Sequence, residues 1–188
     1  MKILVACEFT GIVTKAFIEK GHDAMSCDLL PGEIDVPHYQ GDVRDILHYG
    51  WDMMIAFPPC TYLSYVANMH GREYWNSLDR VQKREQAIDF VCLLWQAPIE
   101  KIAIENPLGV LDKEFRRHDQ IIQPWMFGHK ERKRTCLWLK NLPPLMSTLV
   151  GIDRKEYHML QVGKDRASKR SRTFEGIAYA MAEQWGSE

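Results

Sequence analysis

Short apolar runs recur along the first part of the chain, and each run ends abruptly. Such runs occupy 2–7 (KILVAC), 23–30 (DAMSCDLL), 51–57 (WDMMIAF) and 101–107 (KIAIENP). Each one stops at or next to a proline, a glycine or an acidic residue, and β-branched or other large apolar side chains dominate them. This pattern predicts four short buried strands.

Between and after these runs, apolar residues recur at helical spacing. The segments with this spacing are 11–21 (GIVTKAFIEKG), 78–96 (LDRVQKREQAIDFVCLLWQ) and 174–185 (FEGIAYAMAEQW), and a further strand is predicted at 134–140 (RTCLWLK). Strands that alternate with helices indicate an α/β fold with a mostly parallel sheet and helices on both faces. Because no repeat or linker interrupts the pattern, we expect a single domain over 1–188.

Chemically versatile side chains follow the predicted strands. Glu8, Asp28, Cys60 and Glu105 all stand at or just beyond a strand's carboxyl end. In an open parallel sheet, ligands bind in the crevice outside those ends. The sequence therefore predicts one shared site at this edge of the sheet.

The composition is that of a soluble globular protein, with 46% hydrophobic and 26% charged residues among 188. The N-terminus reaches Glu8 after too few apolar residues for a signal peptide, and no later apolar run reaches the roughly 18 residues of a membrane span. We therefore expect a cytoplasmic protein without a membrane partner. No CxxC pair occurs, which predicts neither a disulfide framework nor a metal site, although five cysteines are present: Cys7, Cys27, Cys60, Cys92 and Cys136.

The formal net charge of -1 gives no overall attraction to nucleic acid. Positive charge is concentrated, however, at 129–134 (HKERKR) and 164–172 (KDRASKRSR). These segments are interpreted either as a surface that contacts phosphates or as an ordinary solvated basic face.

Cys60 follows Pro58 and Pro59 directly after a predicted strand, so its thiol is expected at the rim of the crevice. A thiolate there can add to C6 of a cytosine and make C5 nucleophilic enough to be alkylated. Glu105, at the end of the next predicted strand, is suited to support the ring nitrogen and exocyclic amine as charge builds up. Arg132 and Arg134 stand directly before a strand and could polarise the ring carbonyl.

These motifs occur in the order found in the cytosine-C5 DNA methyltransferases, which this chain resembles. PPCTYLS resembles the family's Pro-Pro-Cys-Gln-x-x-Ser loop, IENP its Glu-Asn-Val motif and KERKR its Gln-x-Arg-x-Arg segment. FTGIVTKAFIEKG is similar to the family's cofactor loop and first helix, and SCDLL and GDVRDI to its ribose and adenine motifs. The resemblance covers about residues 3–140 and implies a Rossmann-like class I methyltransferase fold.

The resemblance implies S-adenosyl-L-methionine as cofactor and C5 of cytosine as the methyl acceptor. Arg134 best matches the family's arginine that contacts the base. The implied catalytic residues are Cys60, Glu105 and Arg134; the implied cofactor-binding residues are Phe9, Thr10, Gly11, Asp28, Asp42 and Pro58; and the implied substrate-binding residues are Pro59, Ser64, Asn106 and Arg132.

The chain departs from the family pattern at Val13, which replaces the second glycine of the cofactor loop, and in having no evident target-recognition domain. Three substrates therefore stay open: DNA read with little sequence preference, DNA presented by a partner protein that supplies recognition, and a free cytosine nucleotide. An amino-methyltransferase is disfavoured because Phe57 precedes the prolines where an amine acceptor is needed. The non-enzymatic alternative is an inactive methyltransferase-like module that binds a nucleotide or a partner.

Overall fold

The computed structural model describes residues 1–65, 76–149, 158–159 and 172–187, and a seven-stranded sheet forms its centre. The strands, in chain order, are β1 (Lys2–Ala6), β2 (Asp23–Asp28), β3 (His38–Gln40), β4 (Met53–Ala56), β5 (Lys101–Pro107), β6 (Gln120–Ile122), β7 (Glu131–Arg132), β8 (Thr135–Lys140) and β9 (His158–Met159). Of these, β7 and β9 form a separate parallel pair.

The α-helices are α1 (Ile12–Glu19), α2 (Leu78–Trp95), α3 (Leu111–Glu114) and α4 (Glu175–Gly186). Two 3₁₀ helices lie at Val43–Asp45 and Pro124–Phe127. No helix among the described residues is long and apolar enough to cross a membrane.

The strand order in the main sheet is β3-β2-β1-β4-β5-β8-β6. Strands β1 to β5 pair in parallel, whereas β8 is antiparallel to both β5 and β6. The chain reverses direction across the sheet between β1 and β4, which opens a crevice at their carboxyl ends. The predicted mostly parallel, Rossmann-like α/β fold is confirmed.

Hydrophobic cores cover both faces of the sheet, as predicted. Alternate residues of β1 divide between them: Ile3 and Val5 face the core under α1 and α4, and Leu4 and Ala6 face the core under α2. Because both faces are buried, strands in the middle of the sheet are apolar at every position instead of alternating.

Several predicted boundaries differ from the structure. The second strand ends at Asp28, so Leu29 and Leu30 lie outside it and are exposed. The last predicted strand begins at Thr135, which leaves Arg134 in the connection before β8. The sequence did not predict β3, β6, β7 and β9, because two or three residues are too few to produce a readable period.

Candidate active site

The carboxylate of Glu8 fills the N-terminal end of α1. Its Oε1 accepts a hydrogen bond from the backbone N–H of Val13 at 2.7 Å, and its Oε2 accepts bonds from the backbone N–H and the hydroxyl of Thr14 at 3.2 and 2.7 Å. Thr10 adds a weaker bond from its hydroxyl at 3.3 Å. Burial raises the pKa of Glu8, although these hydrogen bonds act to lower it. The helix terminus, ordinarily an anion site, is thus occupied by the protein's own carboxylate.

Gly11 is the residue directly before α1, and its backbone lies in the left-handed region, at φ 70°. A Cβ atom there would lie 2.6 Å from Cγ1 of Ile34 and 2.9 Å from Cγ2 of Val36. Glycine is therefore required both by the backbone and by the segment that packs against it. Val13, which departs from the family pattern, is fully buried in the core under α1 and α4.

The loop of residues 9–11 is held by the segment that follows β2. The backbone N–H of Glu33 donates to the carbonyl of Phe9 at 2.9 Å. The carboxylate of Glu33 also accepts two bonds of 2.7 Å from the guanidinium of Arg172. Arg172 is the last residue of the basic segment 164–172, which the sequence predicts either to contact phosphates or to form a solvated face. It pairs here with Glu33, and 164–171 lie outside the described residues.

Asp28 and Asp42 stand close to Cys7 at this end of the crevice. Asp28 is half-buried and its Oδ1 accepts a bond from the backbone N–H of Leu30 at 2.9 Å. Asp42 caps the first 3₁₀ helix and accepts two bonds of 2.9 Å from Arg44. Burial, together with the charges of Asp28, Cys27 and Asp42, raises the pKa of the Cys7 thiol to about 12. Cys7 therefore stays protonated beneath an acidic rim.

The turn that carries Cys60 is anchored on both sides. Pro58 is buried, and its carbonyl accepts a bond from Nδ2 of Asn106 at 2.8 Å. On the other side, the carbonyl of Thr61 accepts a bond from Nη2 of the buried Arg80 at 3.0 Å. Between these anchors Cys60 is exposed, and its carbonyl accepts bonds from the backbone N–H groups of residues 63 and 64. The thiol therefore sits on a closed, restrained turn.

The turn also packs on the loop that follows β5. Ser64 bridges to Gly109, and the backbone N–H of Val110 donates to the carbonyl of Leu63 at 2.9 Å. A Cβ atom on Gly109 would lie 1.9 Å from that carbonyl oxygen, so only glycine allows this approach. Sequence reasoning missed Gly109, although its position just after the Asn-Pro pair was a usable signal. Ser64, a predicted substrate-binding residue, is 2% exposed in this interface.

Asn106 holds the turn from β5. It was predicted to bind substrate, but it is only 1% exposed and its Nδ2 is directed to Pro58. Its Oδ1 is buried without a hydrogen-bond partner among the described residues. Pro59, the other predicted substrate contact in this turn, is exposed beside Cys60.

Glu105 lies in a small pocket on the α1 and α4 side of the sheet. Its Oε1 is 4.0 Å from Nζ of Lys133, and both side chains are 15% exposed. The lining of this small pocket includes Phe57, Thr135 and Phe174. The structure thus brings Lys133, which the sequence did not single out, next to Glu105.

The predicted arginines lie elsewhere. Arg132 is exposed in β7, which pairs with β9, and Arg134 is exposed in the connection to β8. Neither lines the pocket that contains Glu105. Among the residues the structure describes, no cluster of His, Cys, Asp or Glu could hold a metal ion.

Comparison of the chain with protein-family profiles gives no match, and neither does comparison with curated protein sequences. Solved structures with a similar fold include a protein described as a DNA modification methyltransferase encoded within an E. coli prophage, with a TM-score of 0.49 and 13% identity. They also include WbdD bound to the kinase inhibitor LY294002, with a TM-score of 0.38 and 12% identity. The matches cover 74% and 79% of this chain but only 46% and 38% of those chains, so this chain spans less than half the length of either protein.

Proposed function

We propose that this protein is an S-adenosyl-L-methionine-dependent methyltransferase that acts on C5 of cytosine through a covalent adduct with Cys60. The observation that carries the proposal is the exposed thiol of Cys60 on a turn anchored to β5, the strand that bears Glu105. A merely structural cysteine is normally buried, as Cys27 and Cys136 are here. The crevice has two halves, one at the ends of β1 and β2 with Asp28, and one at the ends of β4 and β5 with Cys60 and Glu105. We further propose that one domain carries both halves, since these strands belong to one sheet.

The cofactor half of the crevice fits a ligand without phosphates. Glu8 already takes the N–H groups at the start of α1, so a dinucleotide pyrophosphate would meet a carboxylate in place of free donors. Asp28 and Asp42 add negative charge that suits ribose hydroxyls and a cationic ligand. S-adenosyl-L-methionine has both features and, when bound, supplies an electrophilic methyl group. Gly11, Asp28 and Asp42 are the residues that we propose to hold it.

The protein's own groups then make the cytosine reactive. The thiolate of Cys60 forms a bond to C6, and the electron pair of the C5–C6 double bond moves toward C5 and the ring nitrogen N3. The carboxyl group of Glu105 donates a proton to N3 and accepts a hydrogen bond from the exocyclic amine while this charge is present. After C5 is alkylated, water takes the C5 proton and N3 returns its proton to Glu105. Cleavage of the Sγ–C6 bond then restores the aromatic ring and returns the electron pair to sulfur.

The proposal is tested by supplying labelled cofactor in parallel with duplex DNA, single-stranded DNA, RNA and dCMP. Digestion of the products should yield 5-methylcytosine from at least one of these substrates. Methylation of the exocyclic amine instead would favour the amino-methyltransferase, and no transfer by folded protein that binds the cofactor in calorimetry would favour the binding module. If the folded protein does not bind S-adenosyl-L-methionine at millimolar concentration, methyltransferase activity is ruled out.

If duplex DNA is the substrate, the target base must leave the helix stack to reach Cys60. We propose that sequence recognition in that case comes from a partner protein or is weak. Testing DNA and dCMP side by side distinguishes these substrates, because a free nucleotide needs neither base flipping nor sequence recognition.

A further inference from the structure

We propose that Lys133, and not Arg134, is the cation that contacts the carbonyl oxygen O2 of the reacting cytosine. This inference rests on the proposed function and assigns the recognition of the pyrimidine edge to the pair Glu105 and Lys133. It reverses the assignment that the sequence pattern alone favours.

The first support is the register of β8 against β5. Leu137 lies opposite Glu105 in the antiparallel pair. Since side chains alternate across a strand, Thr135 lies on the same side as Leu137. Lys133 lies two residues before Thr135, in the connection that leads into β8. The pocket lining agrees, because it contains Glu105, Lys133 and Thr135 and omits Arg134.

The second support is the match between this pair and one edge of cytosine. That edge presents an amine donor, the ring nitrogen N3 and the acceptor O2. A carboxyl group can accept from the amine through one oxygen and, when protonated, donate to N3 through the other. A neighbouring ammonium can face O2, on which negative charge increases once a thiolate has added to C6. Glu105 and Lys133 lie side by side in this arrangement, and the aromatic rings of Phe57 and Phe174 border the same pocket.

The third support is that the two side chains are close but not hydrogen-bonded. Their separation of 4.0 Å exceeds the 2.7–3.2 Å typical of an N–H···O bond. A lysine ammonium has three donors, so contact with Glu105 leaves donors for a ligand. Both side chains are largely withdrawn from water, which strengthens the effect of a fixed cation on developing charge.

Arg134 has the opposite character. It is exposed, and an exposed cation is screened by solvent and salt. Such a side chain is suited to a phosphate of the nucleic-acid backbone, a contact that positions the substrate without entering the chemistry.

The test compares Lys133→Gln with the matched neighbour Arg134→Gln. The assay is the release of label from C5-tritiated cytosine in an oligodeoxynucleotide without cofactor, because reversible addition of Cys60 to C6 makes the C5 hydrogen exchange with water. Lys133→Gln should lower the maximal exchange rate about a hundredfold with little change in KM, as for loss of one oxyanion donor. Arg134→Gln should raise KM severalfold and weaken its salt dependence, with the maximal rate unchanged.

Lys133→Arg provides a rescue, because it keeps the charge and should retain at least about a tenth of the wild-type rate if the cation acts on the carbonyl. This variant also decides the matter if Lys133→Gln fails to fold. Loss of rate in Arg134→Gln with none in Lys133→Gln, or equal loss in Lys133→Arg and Lys133→Gln, would overturn the assignment. Absence of both exchange and methylation in the wild-type protein would instead overturn the proposed function itself, and the assignment with it.

Discussion

The two halves of the crevice are built differently. At the ends of β1 and β2, the carboxylates accept hydrogen bonds from the protein itself. Glu8 accepts from the first turn of α1, Asp28 from the backbone of the turn that follows it, and Asp42 from the 3₁₀ helix that it caps. At the ends of β4 and β5, the groups are less engaged with one another. The thiol of Cys60 is exposed, and Glu105 and Lys133 are in contact without a hydrogen bond.

This difference indicates a division of labour. A half whose carboxylates are fixed by backbone N–H groups is preorganised to bind one ligand without rearrangement. A half that presents an exposed cysteine and places a Glu and a Lys in contact without a hydrogen bond has the side chains that the proposed reaction needs. Under the proposed function, the first half would hold the cofactor and the second would carry the reaction.

The largest expected effect concerns the reaction half. Cys60→Ser should lower methyl transfer at least about a thousandfold, because the covalent route is lost, while cofactor binding is unchanged. Transfer of labelled methyl and calorimetric titration measure the two properties separately. Cys92→Ser is the control and should keep both, since Cys92 lies in α2. Comparable rates in Cys60→Ser and wild type would show that the two halves do not divide the work as proposed.

The next effect concerns the cofactor half. Gly11→Ala should destabilise the protein by about 2–4 kcal/mol, because a left-handed alanine is strained and its Cβ would displace Ile34 and Val36. Gly21→Ala, at φ +84° but with nothing within 4 Å, isolates the backbone strain and should cost about 1–2 kcal/mol. Urea unfolding gives both values. Equal losses of stability in the two variants would show that the packing of Ile34 and Val36 against Gly11 adds nothing to the cost.

A smaller loss is expected where the reaction half is anchored. Asn106→Ala removes the bond to the buried Pro58 carbonyl and should cost about 1–3 kcal/mol, with faster chemical modification of Cys60 as its turn loosens. Gln184→Ala is the control, since its two bonds to Met146 are solvent-exposed and should contribute less than about 1 kcal/mol. Thermal melting and alkylation rates measure the two effects. An unchanged alkylation rate would mean that Asn106 does not restrain the turn.

The last effect is absent at neutral pH, because it is a pH dependence from the buried thiols. Burial raises the pKa of Cys136 from 9.0 to about 12, and the same holds for Cys27. The unfolded chain therefore releases these protons first, so their contribution to stability is complete below pH 9 and is lost as the pH rises from 9 toward 12. Cys136→Ala should flatten the stability curve over this range, as followed by urea unfolding. A curve identical to that of the wild type would argue against the raised pKa.

The sequence predicted the sheet and placed Glu8, Asp28, Cys60 and Glu105 at or just beyond strand ends, because glycines, prolines and acidic residues mark those ends. It could not predict which basic residue faces Glu105. In β8, Thr135 to Trp138 are all buried, so no alternation of polar and apolar residues reveals which side of the sheet each residue faces. Only the pairing of Leu137 with Glu105 brings Lys133 to the pocket.

The role of Asn106 was also beyond the sequence. Its motif resembles one in the cytosine-C5 methyltransferases, and that resemblance predicted a contact with substrate. In the structure, its side chain lies on the opposite side of β5 from Glu105 and is buried against the Cys60 turn. Glu8, by contrast, was visible as an acidic residue at a strand end. The sequence did not predict that this carboxylate accepts hydrogen bonds from residues of α1. That contact depends on the tight turn at Gly11.

The central claim is that Cys60 forms a covalent bond with cytosine C6, and a mechanism-based trap tests it most directly. The protein is incubated with cofactor and with oligonucleotide or nucleotide containing 5-fluorocytosine, in which fluorine replaces the hydrogen that must leave C5 as a proton. We predict a complex that survives denaturation, with the added mass located on the peptide containing Cys60 and absent from Cys60→Ser. A denaturation-resistant complex that still forms in Cys60→Ser, or none in wild-type protein that methylates C5 of cytosine, would contradict the account.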